Sequence, residues 1–329
     1  MDRSIIVENL VKKFEVNQKE KGLTGTLASL IHPNKKTVNA LKGVSFSTKP
    51  GELIGFIGPN GAGKTTTLKI LSGILHPTSG LVNVLGYVPW ERKDAYLKKI
   101  SLVMGQKNQL WWDLPAQETF ELNKAIYEIP ERKYRETVLK LTKLLDVEDL
   151  LSTPVRRLSL GQRMKMELIA ALLHNPEVVF LDEPTIGLDL IAQQKMRDFI
   201  TDYNRQFGAT ILLTSHNMDD LVGIAKRVVV IDNGEIIFDG NLNELVAHFA
   251  KEKIIKVSLS HTVDYKKLSS IGIIKEVNLP FITLSVPREA SAMAAAEILQ
   301  SFPIDDLTIE EVPVEDVIRQ VFKGGLNEK

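Results

Sequence analysis

The chain has 329 residues, 44% of them apolar, which is enough for about two packed domains. Its 41 basic residues balance 41 acidic ones, excluding a global field that would recruit nucleic acid, and no nucleic-acid partner is expected. The absence of cysteine excludes disulfides, thiolate catalysis and thiolate-bound zinc, and fits a reducing cytosol. The N-terminus, Met1 to Glu8, lacks the apolar core of a signal peptide, and no uncharged apolar run nears about eighteen residues. Work at a membrane is therefore expected to need another protein to span it.

Ile5 to Val7 and Val44 to Phe46 read as short strands. Between them, Asn17 to Thr37 carries Leu23, Leu27, Leu30 and Ile31 at i, i+4, i+7 and i+8, one stripe of a short helix. Lys19, Lys21, Lys35 and Lys36 flank it, which fits contact with a membrane subunit or lipid headgroups, or packing on its own domain. Glu52 to Ile57 reads as a strand and leads into Gly58-Pro59-Asn60-Gly61-Ala62-Gly63-Lys64-Thr65-Thr66. This G-x-x-x-x-G-K-T run is a phosphate-binding loop. Its glycines let backbone N–H groups converge on one anion, Lys64 adds a point charge, and the Thr65 hydroxyl can ligate Mg²⁺. An apolar helix is expected from Thr67 to Ile74, and the expected ligand is a nucleoside triphosphate.

Farther along, Trp111-Trp112-Asp113-Leu114-Pro115 places two adjacent tryptophans in a polar context. Ser159 and Gln162 form an S-x-x-Q capping box before an amphipathic helix ending near His174, which exposes a positive helix end. Such a box needs no ligand, although that end can bind phosphate. Val178 to Leu181, Thr210 to Thr214 and Val228 to Ile231 are continuous apolar runs, as in strands covered on both faces. With the helices between them they predict an α/β domain around a largely parallel sheet, with ligand groups at the carboxyl ends of its strands. Asp182-Glu183 sits at one such end, a pattern that also suits a solvated strand terminus. Beside a phosphate loop, Asp182 is assigned to Mg²⁺ and Glu183 to orienting or deprotonating a hydrolytic water. Asn233-Gly234 is a two-residue hairpin signal that closes the first domain near residue 245.

Beyond it, strands are expected at Ile254 to Ser260, Gly272 to Val277, Ile282 to Val286 and Leu307 to Glu311, with helices at Val263 to Ser269, Arg288 to Phe302 and Val314 to Phe322. That β-α-β-β-α-β order predicts a small ferredoxin-like α+β domain at 247–329. Its Ala-rich helix suits close core packing or a dimer face.

In their order, the motifs of residues 1 to about 245 resemble the nucleotide-binding subunit of ATP-binding cassette (ABC) transporters. Gly58 to Thr65 matches the family's Walker A run, Leu158 to Gln162 its signature and Val178 to Glu183 its Walker B. Gly187-Leu188-Asp189 matches the D-loop, Gln106 the Q-loop glutamine, His216 the switch histidine, and Phe14 the aromatic that stacks on adenine. The resemblance implies a P-loop NTPase fold over residues 1–246. Its RecA-like core would carry an antiparallel β-subdomain and a helical subdomain at about 107–172. It implies ATP and Mg²⁺ as ligands, with Glu183, His216 and Gln106 catalytic and Thr65, Gln106 and Asp182 around the metal. Phe14, the loop Gly58 to Thr66, Ser159, Gly161, Gln162 and Asp189 would bind nucleotide. It also implies a head-to-tail homodimer, in which Ser159 and Gly161 of one copy face the γ-phosphate held by Lys64 of the other. The further partner implied is a multi-span membrane permease on the cytoplasmic face, approached near Trp111 and Trp112.

One departure is Leu160, where the signature usually has its first glycine. As the first helical residue, Leu160 can point outward and leave Ser159 and Gly161 undisturbed, so a functional signature is expected. Tails like residues 247–329 accompany cassettes of ABC-2-type exporters, so the resemblance favours export. Two other readings stay open: a soluble ABC ATPase acting on ribosomes or DNA, and a nucleotide-gated regulatory module. The single Walker A run and the 118 positions from Lys64 to Asp182 leave little room for the paired cassettes or long coiled coils of the former.

Overall fold

Apolar runs without alternation belong in the middle of a sheet, because both faces of such a strand must be covered. The computed structural model, which describes residues 2–17, 35–105, 108–215, 220–221, 223–261, 265–313 and 316–317, places them there. The chain divides into two compact units, Met1–Asp239 and Gly240–Lys329; the sequence expectation sets this boundary at 246/247.

The first unit opens with β1 (Ile5–Asn17), β2 (Lys35–Thr48), β3 (Leu53–Ile57), α1 (Lys64–Leu71) and β4 (Ser79–Val84). It continues through α2 (Asp94–Leu97), β5 (Ile100–Met104), α3 (Ala116–Ile126), α4 (Glu131–Leu145) and α5 (Leu160–Leu172). It closes with β6 (Val178–Asp182), α6 (Leu190–Phe207), β7 (Thr210–Ser215), β8 (Arg227–Asp232) and β9 (Glu235–Asn241). Six strands form one sheet in the order β5-β6-β7-β3-β8-β9, and the pairs from β5 to β8 are parallel. Every residue of β3, β6 and β7 is buried. At about 1.5–3 kcal/mol for each large apolar side chain, this burial fixes the strands against sliding. The Asn233-Gly234 turn between β8 and β9 has positive φ at both residues (46° and 82°), as a type I′ hairpin requires.

An antiparallel sheet, β2-β1-β4, shares its core with this one: Ile5, Val7, Val44 and Phe46 cluster with Ile54, Phe56 and Leu68. Among the described residues no helix is long and apolar enough to cross a membrane. The 17–37 insertion falls almost wholly outside the described residues, as do Gln106 and His216.

The second unit contains α7 (Leu242–Phe249), β10 (Glu252–Leu259), β11 (Ile273–Asn278), β12 (Phe281–Pro287), α8 (Ser291–Ser301) and β13 (Ile304–Glu311). Its sheet runs β11-β12-β10-β13 with every pair antiparallel, the ferredoxin-like order. Alternate residues Ile255, Val257 and Leu259 point into a core shared with Ile298, Ala294 and Ala295, so close packing accounts for part of the Ala-rich helix. The first crossover ends in a 3₁₀ turn at Tyr265–Ser270, which overlaps the expected helix Val263 to Ser269 from Tyr265 on; residues 263 and 264 lie outside the described residues. Most of the expected helix at Val314 to Phe322 lies outside the described residues.

Candidate functional site

Parallel register decides which side chains meet. Met104 pairs with Asp182, Asp182 with Thr214, and Phe56 with Thr214, so β5, β6, β7 and β3 end at one level. The phosphate loop leaves β3 at that level and returns as α1, three residues earlier than the sequence reading placed the helix. The cause is Gly63, which serves as N-cap at φ 113°, a conformation costly for any side-chain-bearing residue. A Cβ there would also stand 2.9 Å from the Ala40 carbonyl oxygen and 2.7 Å from Leu41 Cδ2. The first bond inside α1 runs from the Thr67 N–H to the Gly63 carbonyl at 2.9 Å. Helix geometry therefore leaves the N–H groups of Lys64, Thr65 and Thr66 without intrahelical partners.

A cavity of about 430 Å³ opens at this point, lined by the loop together with Lys69, Asp182 and Glu183. Lys64 is buried, and its ammonium donates to the carbonyls of Gly58 (2.7 Å) and Pro59 (3.2 Å) and lies 3.5 Å from Glu183 Oε1. Burial lowers the Lys64 pKa from its ordinary value; the charge and hydrogen bond of Glu183, then the charge of Asp182, oppose that fall. Thr65 Oγ1 donates to Asp182 at 2.8 and 3.0 Å. Lys64, Thr65, Asp182 and Glu183, separated by more than a hundred residues in sequence, thus meet at one place.

Two further residues hold the acidic side. Thr214, fully buried, donates to Asp182 Oδ1 at 2.8 Å, and its hydroxyl accepts from the Glu183 N–H at 3.1 Å. Glu183 itself has φ 52°, a left-handed conformation that a non-glycine residue holds only where its surroundings impose it. Gly105 lets β5 come close enough: its N–H donates to the Asp182 carbonyl at 2.9 Å, and a Cβ there would overlap the Glu183 carbonyl oxygen. A threonine in a buried strand reads as an ordinary strand former, so only register against Asp182 could have singled out Thr214.

The donor set suits a triphosphate, with convergent N–H groups, the Lys64 ammonium and Lys69 at the rim. Among the described residues, no group of three or more histidines or acids could hold a metal ion by itself. The hard oxygens of Thr65 and Asp182 fit Mg²⁺ as this ion is usually held, by few protein oxygens together with substrate phosphates.

The remaining expected binding residues lie elsewhere in the first unit. Ser159 N-caps α5 with a complete capping box: its hydroxyl accepts from the Gln162 N–H at 3.2 Å, and Gln162 Oε1 accepts from the Ser159 N–H at 2.9 Å. Leu160 is 39% exposed and lies against Gly187, while the box beside it is intact. The Asp189 carboxylate accepts from the Ala192 N–H at 2.8 Å and so caps α6. Phe14 lies on β1 opposite Val38, with Lys12 Nζ 4.9 Å from its ring centre. None of these lines the cavity around Lys64. Trp111 and Trp112 are about half exposed, and the Arg163 guanidinium stands 5.8 Å from the Trp112 ring centre.

Comparison with known proteins bears on the family and the fold. Residues 41–186 match the family model described as ABC transporter, and residues 251–310 match that of the EvrA-like ABC transporter C-terminal domain. The chain is similar to the ABC transporter ATP-binding protein NatA of Bacillus subtilis (strain 168), at 30% identity over 70% of this chain and 93% of that one. It is also similar to the linearmycin resistance ATP-binding protein LnrL of the same organism, at 31% identity over 69% of this chain and 71% of that one. The cholesterol transporter ABCA5 of Rattus norvegicus is 30% identical over 90% of this chain, which spans only 17% of that protein's length. Among solved structures, the dimeric bacterial ABC transporter cassette MJ0796 superposes with a TM-score of 0.59 at 25% identity, covering 72% of this chain and 98% of that one.

Proposed function

Because this chain belongs to the ABC transporter family of ATP-binding cassettes and is an ABC-type ATPase, we propose that it powers a separate, multi-span ABC-2-type permease, in the direction of export. One observation carries the reading: parallel register brings a buried lysine of a phosphate loop within 3.5 Å of Glu183, beside the Thr65–Asp182 pair. The uncapped start of α1 and the Lys64 ammonium bind the triphosphate of ATP, and Glu183 orients and deprotonates the attacking water. Thr65 and Asp182 hold Mg²⁺, which neutralises phosphate charge when bound. Gln106 and His216, outside the described residues, complete the catalytic set, and Phe14 supplies the adenine contact.

Two copies pair head to tail, so that Ser159, Gly161, Gln162 and Asp189 of one close on the nucleotide of the other. The likeness to a cassette solved as a dimer supports this arrangement. Docking on a permease at the cytoplasmic face of the membrane is supported by the half-exposed Trp111 and Trp112, side chains suited to a partner groove. Export is supported by similarity to a resistance protein, since resistance is served by moving a compound outward. Residues 1–246 act as the ATPase domain and 247–329 as an accessory domain.

The test is steady-state hydrolysis by the full chain and its Glu183→Gln variant. The parent hydrolyses ATP, while Glu183→Gln loses about 1,000-fold in kcat, retains ATP and accumulates as a closed dimer on gel filtration. A parent without ATPase activity, or Glu183→Gln at the parental rate, overturns the enzymatic reading. A pull-down from membranes that returns a multi-span partner supports the transport reading, and recovery only with ribosomes or DNA overturns it.

A further inference from the structure

Asp220 is a buried carboxylate behind the site, with no role in the chemistry above. A carboxylate persists in a protein interior only where its lone pairs are filled and its charge is met. Three elements do this. Thr185 Oγ1 donates to Asp220 Oδ2 at 2.7 Å, Ser215 Oγ donates to the same oxygen at 2.8 Å, and the Arg197 guanidinium of α6 lies 3.4 Å from Oδ1. Thr185 and Ser215 are themselves buried, so water does not compete for these bonds.

The place of the donors gives the cluster its meaning. Ser215 is the last residue of β7, next to the Thr214 that fixes Asp182 and the Glu183 N–H. Thr185 stands two residues beyond Glu183, in a turn closed by the Ile186 N–H on the Glu183 carbonyl (3.3 Å) and the Leu188 N–H on the Thr185 carbonyl (3.2 Å). Arg197 lies on the helix that Asp189 caps. One carboxylate therefore joins the turn after Glu183 to the end of β7 and to α6. Glu183 enters that turn in a strained left-handed conformation, which relaxes unless both sides of it are restrained.

We propose that Asp220 is a positioning residue: by holding the Thr185 hydroxyl, it fixes the turn from Glu183 to Leu188 and keeps the Glu183 carboxylate aimed at the phosphate loop. The inference rests on the reading of Glu183 as the residue that acts on water. In the full chain, Thr185→Val removes the hydroxyl and keeps the shape, while Thr185→Ser restores the donor. Thr185→Val should lower kcat about 10- to 100-fold, as misplacement of a catalytic group does. KM and the affinity for a fluorescent ATP analogue should stay within about twofold. Thr185→Ser should recover most of the lost kcat. Asp220→Ala, which removes the acceptor of all three contacts, should lower kcat at least as far as Thr185→Val, and the double variant should be no slower than Asp220→Ala alone, because the Thr185–Asp220 bond is already lost in it. Parental kcat in Thr185→Val, loss of analogue affinity in step with kcat, failure of Thr185→Ser to recover, or additive losses in the double variant would each overturn the proposal. Glu183→Gln separates the two readings. Without hydrolysis that depends on Glu183 both fail, whereas such hydrolysis with an unaffected Thr185→Val variant defeats this proposal alone.

Discussion

The helices α1 and α5 both present N-termini that the sequence offers as anion sites, yet the two ends are finished in opposite ways. Gly63 starts α1 with no side-chain cap, so the first-turn N–H groups face the cavity beside a buried ammonium. Ser159 and Gln162 start α5 by satisfying one another's N–H groups, with Ser159 itself exposed. An end left uncapped must be completed by something else, and the lysine makes that ligand an anion. An end that caps itself is stable alone; in the proposed head-to-tail pair it would contribute its dipole and a hydroxyl to an anion held by the other copy. The difference fits a primary phosphate site at α1 and a clamp at α5 that acts on a ligand already bound to another copy.

The largest change expected from breaking the first of these ends is Lys64→Ala. It should weaken ATP binding about 100-fold, or about 2.7 kcal/mol, measured by isothermal titration. Affinity within about threefold of the parent would mean that the uncapped N–H groups alone hold the triphosphate. Gly63→Ala attacks the same end through the backbone. A side chain at φ 113° that also meets the Ala40 carbonyl oxygen at 2.9 Å should cost about 2 kcal/mol in chemical denaturation and reduce ATP affinity. Unchanged stability would show that the loop relaxes to another conformation without cost.

Much of the first unit is legible because it rests on strong local signals. Val178 to Leu181, Thr210 to Thr214 and Val228 to Ile231 fall inside β6, β7 and β8, since strands buried on both faces leave unbroken apolar runs. Lys64, Asp182 and Glu183 follow from a motif and a strand end. The start of α1 was less legible, because a left-handed glycine is a weaker start signal than a Ser or Asp cap. Asp189 is visible as part of a motif, but its bond to the Ala192 N–H is not, since the same side chain suits an interface or a cap. Thr214, Thr185, Arg197 and Asp220 could not be read at all. Asp220 finds Thr185 35 positions away and Arg197 23 away, through packing of a turn and a helix that no short window contains. In the second unit, β13 begins at Ile304 rather than Leu307, because Asp305 and Asp306 break the apolar pattern while the backbone still pairs with β10.

The smallest effect on folding, and the sharpest test of the α5 end, comes from Gly161→Ala. Gly161 lies in the first turn of α5, outside the left-handed region, and a Cβ there would meet Ala192 Cβ at 3.5 Å and Leu188 Cδ2 at 3.9 Å, ordinary packing distances. Alanine also favours a helix over glycine by up to about 1 kcal/mol, so thermal unfolding should be unchanged or slightly higher. The contrast with Gly63→Ala is then complete: one glycine is required by its own fold and the other is not. If α5 closes on the nucleotide of a second copy, the added methyl stands in the space that the partner's phosphate approaches. Hydrolysis should then fall about tenfold while ATP binding to the isolated chain is retained. Hydrolysis at the parental rate would remove Gly161 from the clamp and leave α5 as a helix capped for its own stability alone.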